Sequence, residues 1–121
     1  MNLRSFLSAL IFVGLVVAGT VSPVFAEENA QVQELKEQCE MVDATACGTL
    51  GYMYLDGDGV KQDDFQAVEW YRTACEKGNE VGCGMLGLMY EQGKGVRQSN
   101  DQALKYFGKA CDMKLPAGCE D

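Results

Sequence analysis

From residue 30 onward the apolar positions advance in steps of three and four. After Lys61, the residues Ala67, Val68, Tyr71, Ala74 and Cys75 fall at i, i+1, i+4, i+7 and i+8, one face of a helix. Ala103, Leu104, Phe107, Ala110 and Cys111 repeat that face 36 positions on. Both segments, the B helices, open with capping-box chemistry: Asp63 with Gln66, and Ser99 with Gln102. A weaker forerunner, with Val32 and Leu35 where Val68 and Tyr71 stand, predicts a partial B helix over about 30–40. A helices are predicted between them, over about 44–55 and 80–91, with Asp43 and Asn79 as N-caps. Pro116 takes the first helical position of a third, where its missing N–H costs nothing. Gly57, Gly59, Gly93 and Gly95 end the A helices, and Gly78 ends the first full B helix. Glycines also recur inside the A helices, at 48, 51, 84 and 87, each costing about 1 kcal/mol of helix propensity against Ala. Their recurrence predicts a neighbouring backbone packed close at these sites.

The 36-residue period runs through the whole pattern. Leu50-Gly51 returns as Leu86-Gly87, Met53-Tyr54 as Met89-Tyr90, and Gly57-x-Gly59-Val60 as Gly93-x-Gly95-Val96. A fixed period of this length marks a stacked-repeat architecture. The fold class expected is all-α, an αα-hairpin repeat solenoid in the order B-A-B-A-B. Its full repeats lie at about 44–76 and 80–112, with a C-terminal stub at 113–121.

Residues 1–26 read as a secretory signal. Arg4 supplies the positive start, Phe6 to Ala18 the apolar core, and Val24-Phe25-Ala26 a cleavage site after Ala26. The apolar run is short for a membrane span, which needs about 20 residues. No cysteine stands at the cleavage point for a lipid anchor. Residues 27–121 are therefore expected to be exported, periplasmic or secreted, and free of the membrane. Six cysteines in so small an exported chain read as a disulfide framework. Cys39, Cys75 and Cys111 are each followed eight positions later by Cys47, Cys83 and Cys119. Each repeat solves its geometry alike, so the pairs expected are 39–47, 75–83 and 111–119. On one continuous helix such residues would be about 12 Å apart. A disulfide needs its Cα atoms within about 7 Å, so a turn must fall inside each pair. About three stacked repeats are usually needed to bury enough core. The staples compensate for the shortfall, each closed loop contributing roughly 2–3 kcal/mol.

Charge and residue inventory narrow the function. Without residues 1–26, whose one charged side chain is Arg4, 18 acidic side chains face 9 basic ones, a formal net charge of −9. That balance argues against nucleic acid and against an anionic membrane surface as partners. The chain has no histidine, the usual general base and commonest zinc ligand. Ser99 is the one serine of residues 27–121. Gln102 stands where a serine β-lactamase would place its lysine, and capping accounts for the hydroxyl. Asp56-Gly57-Asp58 matches the opening of a calcium loop, but Val60 and Lys61 break that pattern. No catalytic residue, metal or cofactor is expected.

Taken together, Leu50-Gly51-x-x-Tyr54-x-x-Gly57-x-Gly59-Val60, Asp63-x-x-x-Ala67-x-x-Trp70-Tyr71-x-x-Ala74 and Gly78 resemble the Sel-like repeat, a relative of the tetratricopeptide repeat. The second copy has Ser99 for the Asp, Tyr106-Phe107 for Trp70-Tyr71, and Lys114 where Gly would recur. The Cys-x7-Cys pairs resemble the disulfide-bridged Helicobacter cysteine-rich subfamily. The resemblance implies a solenoid whose concave surface is a scaffold for a protein or peptide partner. It also implies one alternative, a β-lactam-binding protein or weak β-lactamase; a second alternative, independent of the resemblance, is a small structural or inhibitory protein.

On the first A helix Ala46, Cys47, Leu50, Met53 and Tyr54 share the core stripe, while Thr45, Gly48, Tyr52 and Leu55 share the opposite side. The second A helix carries Val81, Gly84, Leu88 and Glu91 there. In stacked repeats the A helices line the concave side. Tyr52, Leu55 and Leu88 are therefore the candidate binding residues. The competing reading is that the next A helix and the N-terminal helix cover them, since apolar stripes usually report core.

Overall fold

The computed structural model describes residues 29–114, and the signal segment with Ala26, Pro116 and Cys119 lie outside the described residues. The described chain forms five helices: α1 Ala30–Met41, α2 Ala44–Asp56, α3 Asp64–Glu76, α4 Glu80–Gln92 and α5 Asn100–Lys114. Helices α2 and α4 are the A helices and α1, α3 and α5 the B helices. Each packs on its sequence neighbours, and α2 also touches α4, so the A helices stack side by side in one layer. The last helix runs two residues further than the repeat boundary at 112, through Met113-Lys114.

Local chemistry sets the boundaries. Asp43 accepts hydrogen bonds from the N–H groups of Thr45 and Ala46, and Asn79 from that of Gly82. Asp63 accepts from Phe65 and Gln66, and the Ser99 hydroxyl from Gln102 at 3.2 Å. Half of each expected capping box is absent. The N-cap N–H groups of Asp63 and Ser99 donate instead to the carbonyls of Tyr54 and Tyr90, both at 2.9 Å. The A-helix carbonyl has taken the donor that Gln66 and Gln102 would otherwise engage. Each turn is thus tied to the A helix it leaves. At the start of the first of these turns Gly57 adopts φ 76°, and its N–H and that of Asp58 both donate to Met53. Only glycine enters this left-handed region without strain. Asp56-Gly57-Asp58 is thus a helix end.

The core is one cluster built on Val32, Leu50, Met53, Tyr54, Val68, Tyr71, Leu86 and Met89, with the half-cystines and alanines between them. A Cβ on Gly51 would lie 2.6 Å from the Tyr71 ring, and one on Gly87 would lie 2.7 Å from the Phe107 ring. These glycines therefore seat an aromatic side chain; the expected neighbouring backbone is also close at Gly87, where the Ala103 carbonyl would stand 3.2 Å from the Cβ, whereas the nearest atoms at Gly51 all belong to the ring. Gly48 and Gly84 have no such neighbour: Gly48 meets only the Asn79 side chain at 3.5 Å, and nothing lies within 4 Å of a Cβ on Gly84. Close backbone approaches occur at Gly82, whose Cβ would stand 2.9 Å from the Cys75 nitrogen, and in the turn at Gly95, whose Cβ would meet the Asp64 carbonyl. In the first copy Ala46 holds the position of Gly82.

Cys39 is joined to Cys47 and Cys75 to Cys83, with Cα–Cα separations of 4.9 and 4.5 Å. Each link spans the short turn from a B helix to the following A helix, as the spacing requires. Cys111 is disulfide-bonded, and the expected link to Cys119 lies outside the described residues.

Tyr71 is 2% exposed. Burial, and then the neighbouring Tyr52 phenol, push its pKa from 10.0 up to about 12. A pKa raised on folding means that the neutral phenol is the form the fold favours. Its contribution to stability is complete below about pH 10 and lost as pH rises through about 12. Thermal midpoints of the wild type should therefore fall more steeply over that interval than those of Tyr71→Phe. Equal slopes would assign the alkaline loss to other groups.

Candidate functional site

Three features of the A helices leave their outer side uncovered. The core stripe turns Leu50, Met53 and Leu86 inward, Gly48 and Gly84 remove side chains from the outer side, and α2 meets α4 over a narrow contact. Between the two helices lies a pocket of about 280 Å³ lined by Thr45, Gly48, Thr49, Tyr52, Asn79 and Val81. Tyr52 is 54% exposed, Val81 56% and Leu88 37%. Asn79 spends its side-chain oxygen on the Gly82 N–H at 2.7 Å, so it is held rigidly as the pocket's far wall. Thr49 donates its hydroxyl to the Thr45 carbonyl at 3.0 Å, which leaves its methyl group to the pocket. The result is an apolar depression on the A-helix side with an aromatic ring at its edge.

The candidate residues divide. Tyr52 and Leu88 are exposed at equivalent places on successive A helices, and Tyr52 lines the pocket. Leu55 is half-buried and packs against the core cluster, so it belongs to the scaffold. It lies nearer the boundary of the core stripe than Tyr52, and α-helical angles alone do not say how far the core extends. Thr49, Asn79 and Val81 are lining residues that the helical stripe did not single out. The signal for Asn79 was its cap role, which fixes it at the start of α4 beside Gly48.

The opposite edge carries a different arrangement. Lys36 stands 6.0 Å from the centroids of both Tyr54 and Trp70. One period later, Arg72 reaches the hydroxyls of Tyr90 and Tyr106 at 3.4 and 3.5 Å, and those two rings stack at 5.6 Å. Each cation thus engages an aromatic pair formed by the following A and B helices, Lys36 over the rings, a contact of about 0.5–2 kcal/mol, and Arg72 by donating to the two hydroxyls. Trp70 Nε1 is buried there with no hydrogen-bond partner among the described residues. A hollow of about 450 Å³ opens beside Lys36, Tyr54 and Lys61, and two of its polar walls are engaged. Asp63 caps α3, and Gln62 donates to Leu55 and Asp64. This edge holds repeats in register.

For chemistry, the Ser99 hydroxyl is occupied as a cap. Among the described residues no group of three or more His, Cys, Asp or Glu is placed to hold a metal ion. No described helix is long and apolar enough to cross a membrane.

Residues 44–79 and 81–115 each match the Sel1 repeat. Among solved structures, Helicobacter pylori cysteine rich protein B is 36% identical with a TM-score of 0.68, over 73% of this chain and 66% of that one. A protective antigen of uropathogenic Escherichia coli with an SLR fold is 37% identical with a TM-score of 0.65, over 74% and 19% of the two chains. A Sel1 repeat protein from Oxalobacter formigenes is 36% identical with a TM-score of 0.58, over 63% and 31%. The chain thus spans about two thirds of the first and under a third of the other two. No curated protein matches it.

The contrast between the two sides of α2 is measurable. Leu50→Ala should cost about 2–5 kcal/mol, as buried leucine truncations do. Tyr52→Ala should cost less than about 1 kcal/mol, as exposed positions do. Urea unfolding of both variants checks this, and equal losses would make Tyr52 a core residue.

Proposed function

The chain belongs to the Sel1 repeat family, and from that premise we propose that it is an exported interaction module that holds a segment of another protein on the A-helix face. The observation that carries this reading is the apolar depression between α2 and α4, with Tyr52 and Val81 exposed in its lining and Leu88 exposed further along α4. Large apolar side chains gathered on one face of a small folded unit mark a place for a partner. Two full hairpins offer a short groove, so one anchoring side chain and its neighbours are the natural ligand.

Export is supported by the signal-like pattern of residues 1–26 and by the disulfides, which persist in oxidising compartments. We expect protein recovered from the periplasm or medium to begin at Glu27. Non-reducing peptide mapping of that protein should give the links 39–47, 75–83 and 111–119 and no free thiol. A Cys47–Cys75 link, or a retained residue 1–26 segment, would overturn this part of the reading.

Photo-cross-linking tests the surface. A photoreactive phenylalanine derivative in place of Tyr52 should cross-link a partner in the native compartment, and one in place of Leu104 should not. Leu104 is 70% exposed but lies on a B helix. Cross-linking at Tyr52 should fall at least about tenfold when Leu88→Ser is added, since desolvated apolar anchors dominate binding. Cross-links from position 104 alone would move the site to the B-helix side.

A further inference from the structure

Resting on the A-helix-face reading, we infer that the partner segment is cationic: an apolar side chain seated beside Tyr52, flanked by lysines or arginines. Charge is distributed unevenly between the two layers. Helices α2 and α4 contain Asp56, Glu80 and Glu91 and no lysine or arginine. All nine basic residues of 27–121 lie on α1, α3 and α5 or in the turns. The acids of the A layer also sit close to the apolar anchors. Asp56 follows Tyr52 by one turn, Glu91 follows Leu88 by three residues, and Glu80 stands between the lining residues Asn79 and Val81.

A pocket of about 280 Å³ lies at the lower edge of the roughly 300–1,000 Å³ typical of small-molecule sites. It suits a single side chain of a larger chain. A second copy of this protein is a poor occupant, because a formal net charge of −9 repels itself across an acidic face. A cationic segment instead gains from steering by the field and from pairing at the rim.

Three synthetic peptides test this, identical except that one central leucine is flanked by lysines, by serines or by glutamates. Fluorescence anisotropy with the disulfide-intact protein should show the lysine peptide binding at least about tenfold tighter than the serine peptide, with the glutamate peptide weakest. High salt should narrow that gap. Glu80→Gln with Glu91→Gln should close it, while Tyr52→Ser with Leu88→Ser should weaken the lysine and serine peptides alike. Circular dichroism of each variant verifies that these partly or fully exposed changes leave the helices intact. Equal binding of the serine and lysine peptides overturns the cationic inference and leaves the A-helix-face reading standing. Lysine-peptide binding untouched by Tyr52→Ser with Leu88→Ser places the site elsewhere and overturns both. No binding by any peptide overturns the cationic inference, and cross-linking at position 52 then decides the face independently.

Discussion

The packing of each hairpin depends on one contact, an aromatic ring of a B helix lying on a glycine of the preceding A helix. Tyr71 rests on Gly51 and Phe107 on Gly87, and a single methyl group at either glycine would collide with the ring. The glycine costs about 1 kcal/mol of helix propensity, less than the roughly 1.5–3 kcal/mol from burying a large apolar side chain. The balance favours the contact, and it sets how closely the two helices approach. At that spacing Leu50, Met53 and Tyr54 reach the layer opposite and close the core. The two copies differ in completeness, because Tyr71 is covered on its far side by further helices and Phe107 is only half-buried.

The two kinds of joint in the chain are held by different chemistry. From B to A the turn is two or three residues long and a disulfide crosses it, as at Cys39–Cys47 and Cys75–Cys83. From A to B the turn is longer and is held by polar bonds: a left-handed glycine, and an N-cap amide donated to the tyrosine carbonyl of the helix just ended. Both kinds of turn carry backbone hydrogen bonds, and the shorter B-to-A turns carry the covalent link in addition. Along one edge, Lys36 and Arg72 on their aromatic pairs tie successive units together. Among the described residues the A-helix side has no such device, and there the apolar depression lies open.

Helices, caps and cysteine pairs were legible because they rest on local rules. A 3.6-residue apolar stripe, an Asp or Asn before it and a glycine after it leave little choice, and the 36-residue period checks each element against its copy. The meaning of the internal glycines was not legible, since four similar positions divide into two that seat rings, one that meets the Asn79 side chain and one that faces open space. That division depends on which residue the facing helix presents. Leu55 was placed on the wrong side of the core boundary for a related reason. A helical wheel gives direction but not the width of the neighbour that covers it. The Arg72 contact to Tyr90 and Tyr106 joins residues far apart in sequence, and periodicity offers no sign of which cation will find which ring.

The bond from the Asp63 amide to the Tyr54 carbonyl, and its copy from Ser99 to Tyr90, has a consequence for how such a chain arises. Each turn satisfies its polar groups against the helix beside it, and the disulfides are equally local, eight residues apart. A duplicated 36-residue stretch therefore brings its caps and its ring-on-glycine contact along with it, and a link such as Cys75–Cys83 closes the seam to the next copy. Gene-level copying of one unit is then nearly neutral for folding, and the length of the array becomes a quantity that selection can adjust in whole steps.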